Sequence, residues 1–227
     1  VGAACWPSLA TDGSFLLNIK EHCEDGQRHL YVKKMVVRLV EECGWMFVDE
    51  FCWVDSKNGV PGGWPNRFKD AWEPVFHFSG SSAIKFRPKA NGHASEAVFD
   101  FSPQNAKSQT DSGLLGEKAT RERSGVARPS NVLTVASAST GGHSAAYPVA
   151  LPAWFIKAFT DPDDAVLDPF MGSGTTLVAA HQEGRHGYGT EISPTYCDVI
   201  CRRVQEFTGI LPILESTGVA HDFTAQL

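Results

Sequence analysis

The chain has 227 residues, 42% of them apolar, and a formal net charge of −6. That length and content suffice for a full α/β core, one that buries roughly 70–75% of the unfolded surface. No apolar run approaches eighteen residues and no charged-apolar-small leader opens the chain, which excludes the usual membrane span and secretory signal and leaves a cytoplasmic protein as the expectation.

In chain order, Ser14 to Ile19 reads as a strand, followed by an amphipathic helix from about Arg28 to Glu42 with Tyr31, Val32, Met35, Val36, Leu39 and Val40 at helical intervals. Gly44 ends it. Met46 to Val54 and Pro74 to Phe78 read as an antiparallel pair joined by a long turn, Val60 to Phe68, rich in Pro, Gly and Trp. From Ser79 to Ser130 eight cations (Lys85, Arg87, Lys89, Lys107, Lys118, Arg121, Arg123, Arg128) face five anions (Glu96, Asp100, Asp111, Glu117, Glu122), a net +3 within an acidic protein. This Ser- and Gly-rich stretch suits an insertion, either solvated and bland or able to release counterions from phosphates. A helix from Leu151 to Phe159, a strand at Ala165 to Asp168, a helix opening at Thr175, a strand at Gly187 to Ile192, a helix from Thr195 to Phe207 and an apolar run at Ile210 to Leu214 complete the alternation.

The most informative segment joins two of these elements. Val166 and Leu167 read as a buried strand end running into Asp168-Pro169-Phe170-Met171-Gly172-Ser173-Gly174-Thr175-Thr176, a glycine turn that opens a helix whose free N–H groups face a crevice. No Gly-Lys-Ser/Thr follows and no GxGxxG is present, so neither a P-loop nor a dinucleotide turn is indicated. Glu191, about twenty residues on at the end of the next strand, can accept both hydroxyls of a ribose. A nucleoside cofactor without a strong phosphate anchor follows, and S-adenosylmethionine fits better than a dinucleotide. The cysteines, Cys5, Cys23, Cys43, Cys52, Cys197 and Cys201, contain no CxxC pair and lack grouped His or Cys partners. Reduced thiols and no metal are expected.

At Asp168 to Thr176 the chain resembles the DNA amino-methyltransferases, whose first motif is commonly Asp-Pro-Phe-x-Gly-Ser-Gly-Thr-Thr. His143-Ser144-Ala145-Ala146-Tyr147-Pro148 and the helix after it are similar to the segment these enzymes wrap around the methionine end of the cofactor. Ser14 to Ile19 is similar to their fifth-motif strand. The order, with the catalytic-half strands first and the cofactor half last, resembles the β class. The resemblance implies a class I, Rossmann-like open sheet, mostly parallel with an antiparallel edge strand, helices on both faces and a target-recognition insertion. Residues 1–78 would form the catalytic half with its start missing, 79–130 the insertion and 131–227 the cofactor half.

It further implies S-adenosylmethionine contacts from Asn18, His143, Ser144, Ala145, Pro148, Asp168, Pro169, Phe170, Gly172, Ser173, Gly174, Thr175, Thr176, Glu191 and Ile192. DNA contacts are expected from Trp64, Arg67, Lys69, Arg121, Arg123 and Arg128, with Trp64 or Phe68 walling the pocket for an extruded base. The implied reaction is methyl transfer to the exocyclic amino group of adenine or cytosine in double-stranded DNA. The family's Asp/Ser-Pro-Pro-aromatic motif is not in the chain, and Cys5-Trp6-Pro7-Ser8 does not replace it. In β-class order it would precede Ser14, so a truncated chain is expected and no catalytic residue is assigned. One half of a split enzyme, or a non-catalytic module binding the cofactor or DNA, are the alternatives; a homodimer and a cognate restriction endonuclease stay open as partners. A nicotinamide-dependent oxidoreductase would need the GxGxxG turn.

Overall fold

The computed structural model describes residues 5–54, 65–68, 70–94, 126–136 and 147–225. Contacts divide the chain into a unit of Val1–Arg87 with Ser130–Leu227 and a second of Pro88–Pro129. In the first, a short 3-10 turn at Trp6–Ser8 leads to strand β1 (Ser14–Asn18). β2 (Cys23–Glu24) and β3 (Gln27–Arg28) pair around Asp25 and Gly26, whose φ angles are 49° and 73°. Two successive left-handed residues suit a two-residue hairpin, and Asp-Gly adopts them at little cost. That hairpin claims Arg28, so the helix expected from Arg28 starts later: α1 spans Tyr31–Glu41 and buries Val32 and Leu39. Gly44, at φ 75°, then turns the chain back, and the Trp45 N–H reaches the Leu39 carbonyl at 3.0 Å. The Trp45 indole thereby enters the core between Phe15 and Phe78.

β4 (Met46–Val54) and β5 (Trp72–Ser79) form the expected antiparallel pair. In the second unit β6 (His93–Ala94) pairs antiparallel with β7 (Val126–Ala127). Back in the first, β8 (Val132–Thr134) joins β4 in parallel, giving a four-stranded sheet in the order β1-β5-β4-β8. The antiparallel strand, β5, is therefore internal to its sheet. Helix α2 (Ala150–Phe159), strand β9 (Ala165–Asp168), helix α3 (Thr175–Gln182) and strand β10 (His186–Gly189) follow, and β9 and β10 pair in parallel as a second sheet. Helix α4 (Pro194–Thr208) ends at Gly209, which caps it at φ 73°.

α2 joins the two sheets. Its Leu151, Phe155 and Phe159 pack with Phe51, Trp53 and Val75 of the four-stranded sheet, while Ala153 and Ile156 pack with Ala179 and Ala180 of α3 and with Val166 of β9. Two expectations are corrected. Ile210 to Leu214 does not extend the cofactor half, because β11 (Ile213–Leu214) folds onto β12 (Val219–Ala220) as a separate exposed hairpin. β9 is not buried either: Leu167 is 49% exposed, since among the described residues the strand has β10 as its one neighbour. No helix of the described residues is long and apolar enough to cross a membrane.

Candidate functional site

The glycine turn between β9 and α3 is held in place from three directions. Gly172 and Gly174 sit at φ 56° and 79°, a region that side chains with a Cβ rarely enter. From below, Asp168 organises the lead-in: its Oδ1 accepts the Phe170 N–H at 3.0 Å and its Oδ2 accepts the Thr176 hydroxyl at 2.6 Å. The Tyr147 hydroxyl lies 3.2 Å from the same Oδ2 and 2.8 Å from Thr176 Oγ1. Burial, reinforced by the Asp168 charge, pushes the Tyr147 phenol up to about 12, so it remains a proton donor. From the helix side, Arg203 of α4 donates to Ser173 O at 3.1 Å, Ser173 Oγ at 3.0 Å and Thr175 Oγ1 at 2.9 Å.

The third restraint is Glu191. Its Oε1 accepts the Ser193 N–H and its Oε2 the Gly172 N–H, both at 2.8 Å. These two amide donors hold its carboxyl below the usual carboxylate range, so the group is ionised at neutral pH. A carboxylate has about four lone-pair sites, so the group keeps capacity to accept a ribose hydroxyl. Beside it, Phe170 is 68% and Ile192 97% exposed, two apolar side chains suited to a flat aromatic ring. Gly189, opposite Asp168 in the β9–β10 register, keeps the floor open: a Cβ there would lie 1.7 Å from Met171 Cε and 2.6 Å from the Asp168 carbonyl. The donor set fits a nucleoside with free ribose hydroxyls.

The residues named from the sequence divide into three groups. Asp168, Pro169, Phe170 and Thr176 line one cavity of about 540 Å³ together with Asn18, and Gly172, Ser173, Gly174, Thr175 and Glu191 form the turn above it. Asn18 also braces the four-stranded sheet, its amide donating to the Pro74 carbonyl at 3.0 Å. Pro148 is buried just before α2. His143, Ser144, Ala145, Trp64, Lys69, Arg121 and Arg123 lie outside the described residues. Arg67 is engaged with Asp70 at 3.1 Å, a carboxylate that also takes Arg28 at 2.5 Å, while Arg128 is exposed in the second unit. Sequence reasoning missed Arg203 and the hydroxyl role of Tyr147. Among the described residues, no group of three or more His, Cys, Asp or Glu is arranged for a metal ion.

An open α/β arrangement with a glycine turn at the carboxyl end of one strand and an acid after the next defines a nucleoside-binding protein of the class I methyltransferase type. The chain belongs to the DNA methylase family of N6/N4 type, which matches residues 1–202. It is 29% identical to the type II methyltransferase M.PvuII of Proteus hauseri, covering 83% of this chain and 63% of that protein, so it spans less than two thirds of that relative's length. Among solved structures, the cytosine-N4-specific PvuII DNA methyltransferase superposes with a TM-score of 0.60 at 25% identity, over 84% of this chain and 63% of that one. The complex of M1.HpyAVI with SAM shares the fold, with a TM-score of 0.58 at 22% identity over 89% of this chain and 79% of that one.

Proposed function

We propose that the full-length protein transfers a methyl group from S-adenosylmethionine to the exocyclic amino group of adenine or cytosine in double-stranded DNA. The observation that carries this reading is the ionised Glu191 carboxylate, fastened to the glycine turn and flanked by exposed Phe170 and Ile192. When bound, S-adenosylmethionine supplies an electrophilic methyl on a sulfonium. The chain's own residues orient it: Glu191 takes the ribose hydroxyls, Phe170 and Ile192 flank the adenine ring, and Asp168 with Tyr147 and Thr176 fixes the lead-in against which the methionine end rests. Orientation of this kind makes an in-line displacement effectively unimolecular and so lowers its barrier.

The basic insertion of residues 79–130, with Arg121, Arg123 and Arg128, and the turn bearing Trp64, Arg67 and Lys69 are assigned to DNA, in a target-recognition role. The type II designation of the relatives supports a modification role in the cytoplasm alongside a cognate endonuclease. Calorimetric titration with S-adenosylmethionine tests the site. Glu191→Ala is expected to weaken binding about tenfold or more, as loss of a charged hydrogen-bond acceptor does; unchanged affinity removes Glu191 from the ribose. Base-resolved sequencing of DNA from cells expressing the complete reading frame tests the reaction, a mark on one amino group within one short motif being the expected result.

A further inference from the structure

Asp70, in the loop that leads to β5, is met by three cations from three segments of the chain. Arg28 of β3 lies 2.5 Å from its Oδ1, Arg67 3.1 Å from the same oxygen, and Lys20, two residues past β1, 3.7 Å from its Oδ2. Partial burial pulls the Asp70 carboxyl upward, but the hydrogen bond from Arg28 and the charges of Lys20 and Arg28 hold it below the usual range, so it is an anion at neutral pH. Behind it, the buried Glu21 carboxylate lies 3.6 Å from Arg28 and 3.5 Å from Lys33 of α1, which also reaches Glu50 at 3.6 Å. The network has four cations for three carboxylates, and at its outer rim the single Asp70 carboxylate faces three cations that all stay partly exposed. Close contacts fix the three segments. The Asn66 amide donates to the Gly26 carbonyl at 3.1 Å, a Cβ on Gly26 would lie 2.8 Å from that amide, and the Tyr31 hydroxyl donates to the Lys20 carbonyl at 2.9 Å.

The cluster stands at the end of the first unit that carries the glycine turn. The Lys85 ammonium lies 2.6 Å from Asp164, just before β9, and 3.9 Å from Asp12, just before β1, so the two strands start together. Asn18 and Asp168, at their far ends, border one cavity, and Lys20 follows Asn18 by two residues. We propose that Lys20, Arg28 and Arg67 form a seat for backbone phosphates of duplex DNA, with Asp70 as the positioning residue that holds the three cations in place. The inference deepens the proposed function and rests on DNA as the substrate. A free lysine or arginine side chain loses rotamer freedom when it binds a phosphate. Asp70 removes much of that cost beforehand and leaves an excess of positive charge for phosphodiesters. Donors remain as well: a guanidinium has five N–H groups and an ammonium three, and Arg67 gives only one terminal nitrogen to Asp70. Phosphate contacts fix the register of a duplex without reading its sequence. The seat thus sets where the DNA lies against the crevice, and the same clamp fixes the backbone of Phe68, which follows Arg67 and is 98% exposed.

The salt dependence of duplex binding by the full-length protein tests it. Each cation withdrawn from a phosphate takes about one from the slope of log K against log salt concentration. Lys20→Gln gives up only the long pair to Asp70, so the fold should hold. It is expected to flatten the slope by about one and to weaken target and unrelated duplexes alike, with S-adenosylmethionine affinity unchanged; an unchanged slope overturns the seat. Arg28→Lys keeps the charge and should keep the slope. Asp70→Asn separates positioning from plain charge: removal of an anion alone would tighten DNA binding, whereas loss of the clamp should weaken it about fivefold, the ordering cost of roughly one side chain, with recovery in Asp70→Glu. Equal or tighter binding by Asp70→Asn overturns the positioning role. Inorganic phosphate that displaces the duplex from the wild-type protein, but not from Lys20→Gln, at matched ionic strength would show a free-phosphate site and overturn the duplex as the ligand. A protein that binds duplex with the Lys20-dependent slope but does not methylate it overturns the proposed activity and leaves the seat standing. A methylating protein whose slope ignores Lys20 overturns the seat alone.

Discussion

β5 and β9 are both short strands rich in apolar residues, yet they have opposite fates. β5 is paired on both edges, by β1 and β4, and its Phe76 and Phe78 are almost wholly buried. Among the described residues β9 is paired on one edge, and Leu167 is half in solvent. The difference lies in their neighbours, not in the hydrophobicity of the strands. In a layered α/β sheet a side chain is covered by the strands on either side as well as by the helix beneath it. The four-stranded sheet is therefore the half of the first unit with the larger aromatic core. In the β9–β10 half, Ala179 and Ala180 of α3 bury against Ala153 and Ile156, while polar groups fix the backbone of the turn.

Truncating β5 is the hardest blow to the four-stranded sheet. Phe76 is 1% exposed and packs with Val32, Leu39 and Trp45, so Phe76→Ala should cost about 3–5 kcal/mol, transfer and cavity terms together. Denaturant unfolding measures it, and a loss below about 1 kcal/mol would show that β5 is not the core strand its burial indicates. The same strand carries an acid-sensitive group. Burial pushes the His77 imidazole down to about 4, against a smaller opposing pull from Asp49, and its Nε2 lies 2.8 Å from Ser14 Oγ. The unfolded chain takes up this proton near pH 6.5, before the folded chain does. The stability from neutral His77 is thus complete above that pH and is lost as pH falls towards 4, on the order of 3 kcal/mol across the window. His77→Gln should flatten that acid limb of the stability profile.

In the polar half the sharpest probe is Gly189→Ala. The new methyl would meet both the Met171 side chain, which can swing aside, and the Asp168 carbonyl, which belongs to the paired strand and cannot. A cost of about 1–3 kcal/mol is expected, with weaker S-adenosylmethionine binding because Met171 and Asp168 set the lead-in to the turn. Unchanged stability and affinity would mean that the β9–β10 pairing yields to the added methyl at no cost.

The same contrast explains what could be read from the sequence. The glycine turn, and the places of Asp168, Thr176 and Glu191 around it, were legible because a strand-turn-helix connection is a local pattern with fixed residue types at fixed spacing. The β4–β5 pair and α2 were legible through the family resemblance, and α1 from its helical periodicity. The Asp25-Gly26 hairpin was also written locally, in a two-residue signal that the helix reading passed over. Arg203 was not legible: it reaches Ser173 and Thr175 from thirty residues away, and only the packing of α4 brings it there. Nor was the exposure of Leu167, because a run of apolar residues predicts burial only on the assumption that both neighbouring strands are present.

That assumption can be measured with the mildest substitution. A well-buried leucine cut to alanine costs about 2–5 kcal/mol. At 49% exposure, Leu167 gives up to solvent roughly half of what burial would provide, and its loss opens no closed cavity. Leu167→Ala in the 227-residue chain should therefore cost under about 1 kcal/mol at the usual value of apolar area. A result in the 2–5 kcal/mol range would mean that the edge of β9 away from β10 is covered in solution. The small value would place the asymmetry between β5 and β9 where the strand order puts it, at an edge with no second neighbour among the described residues.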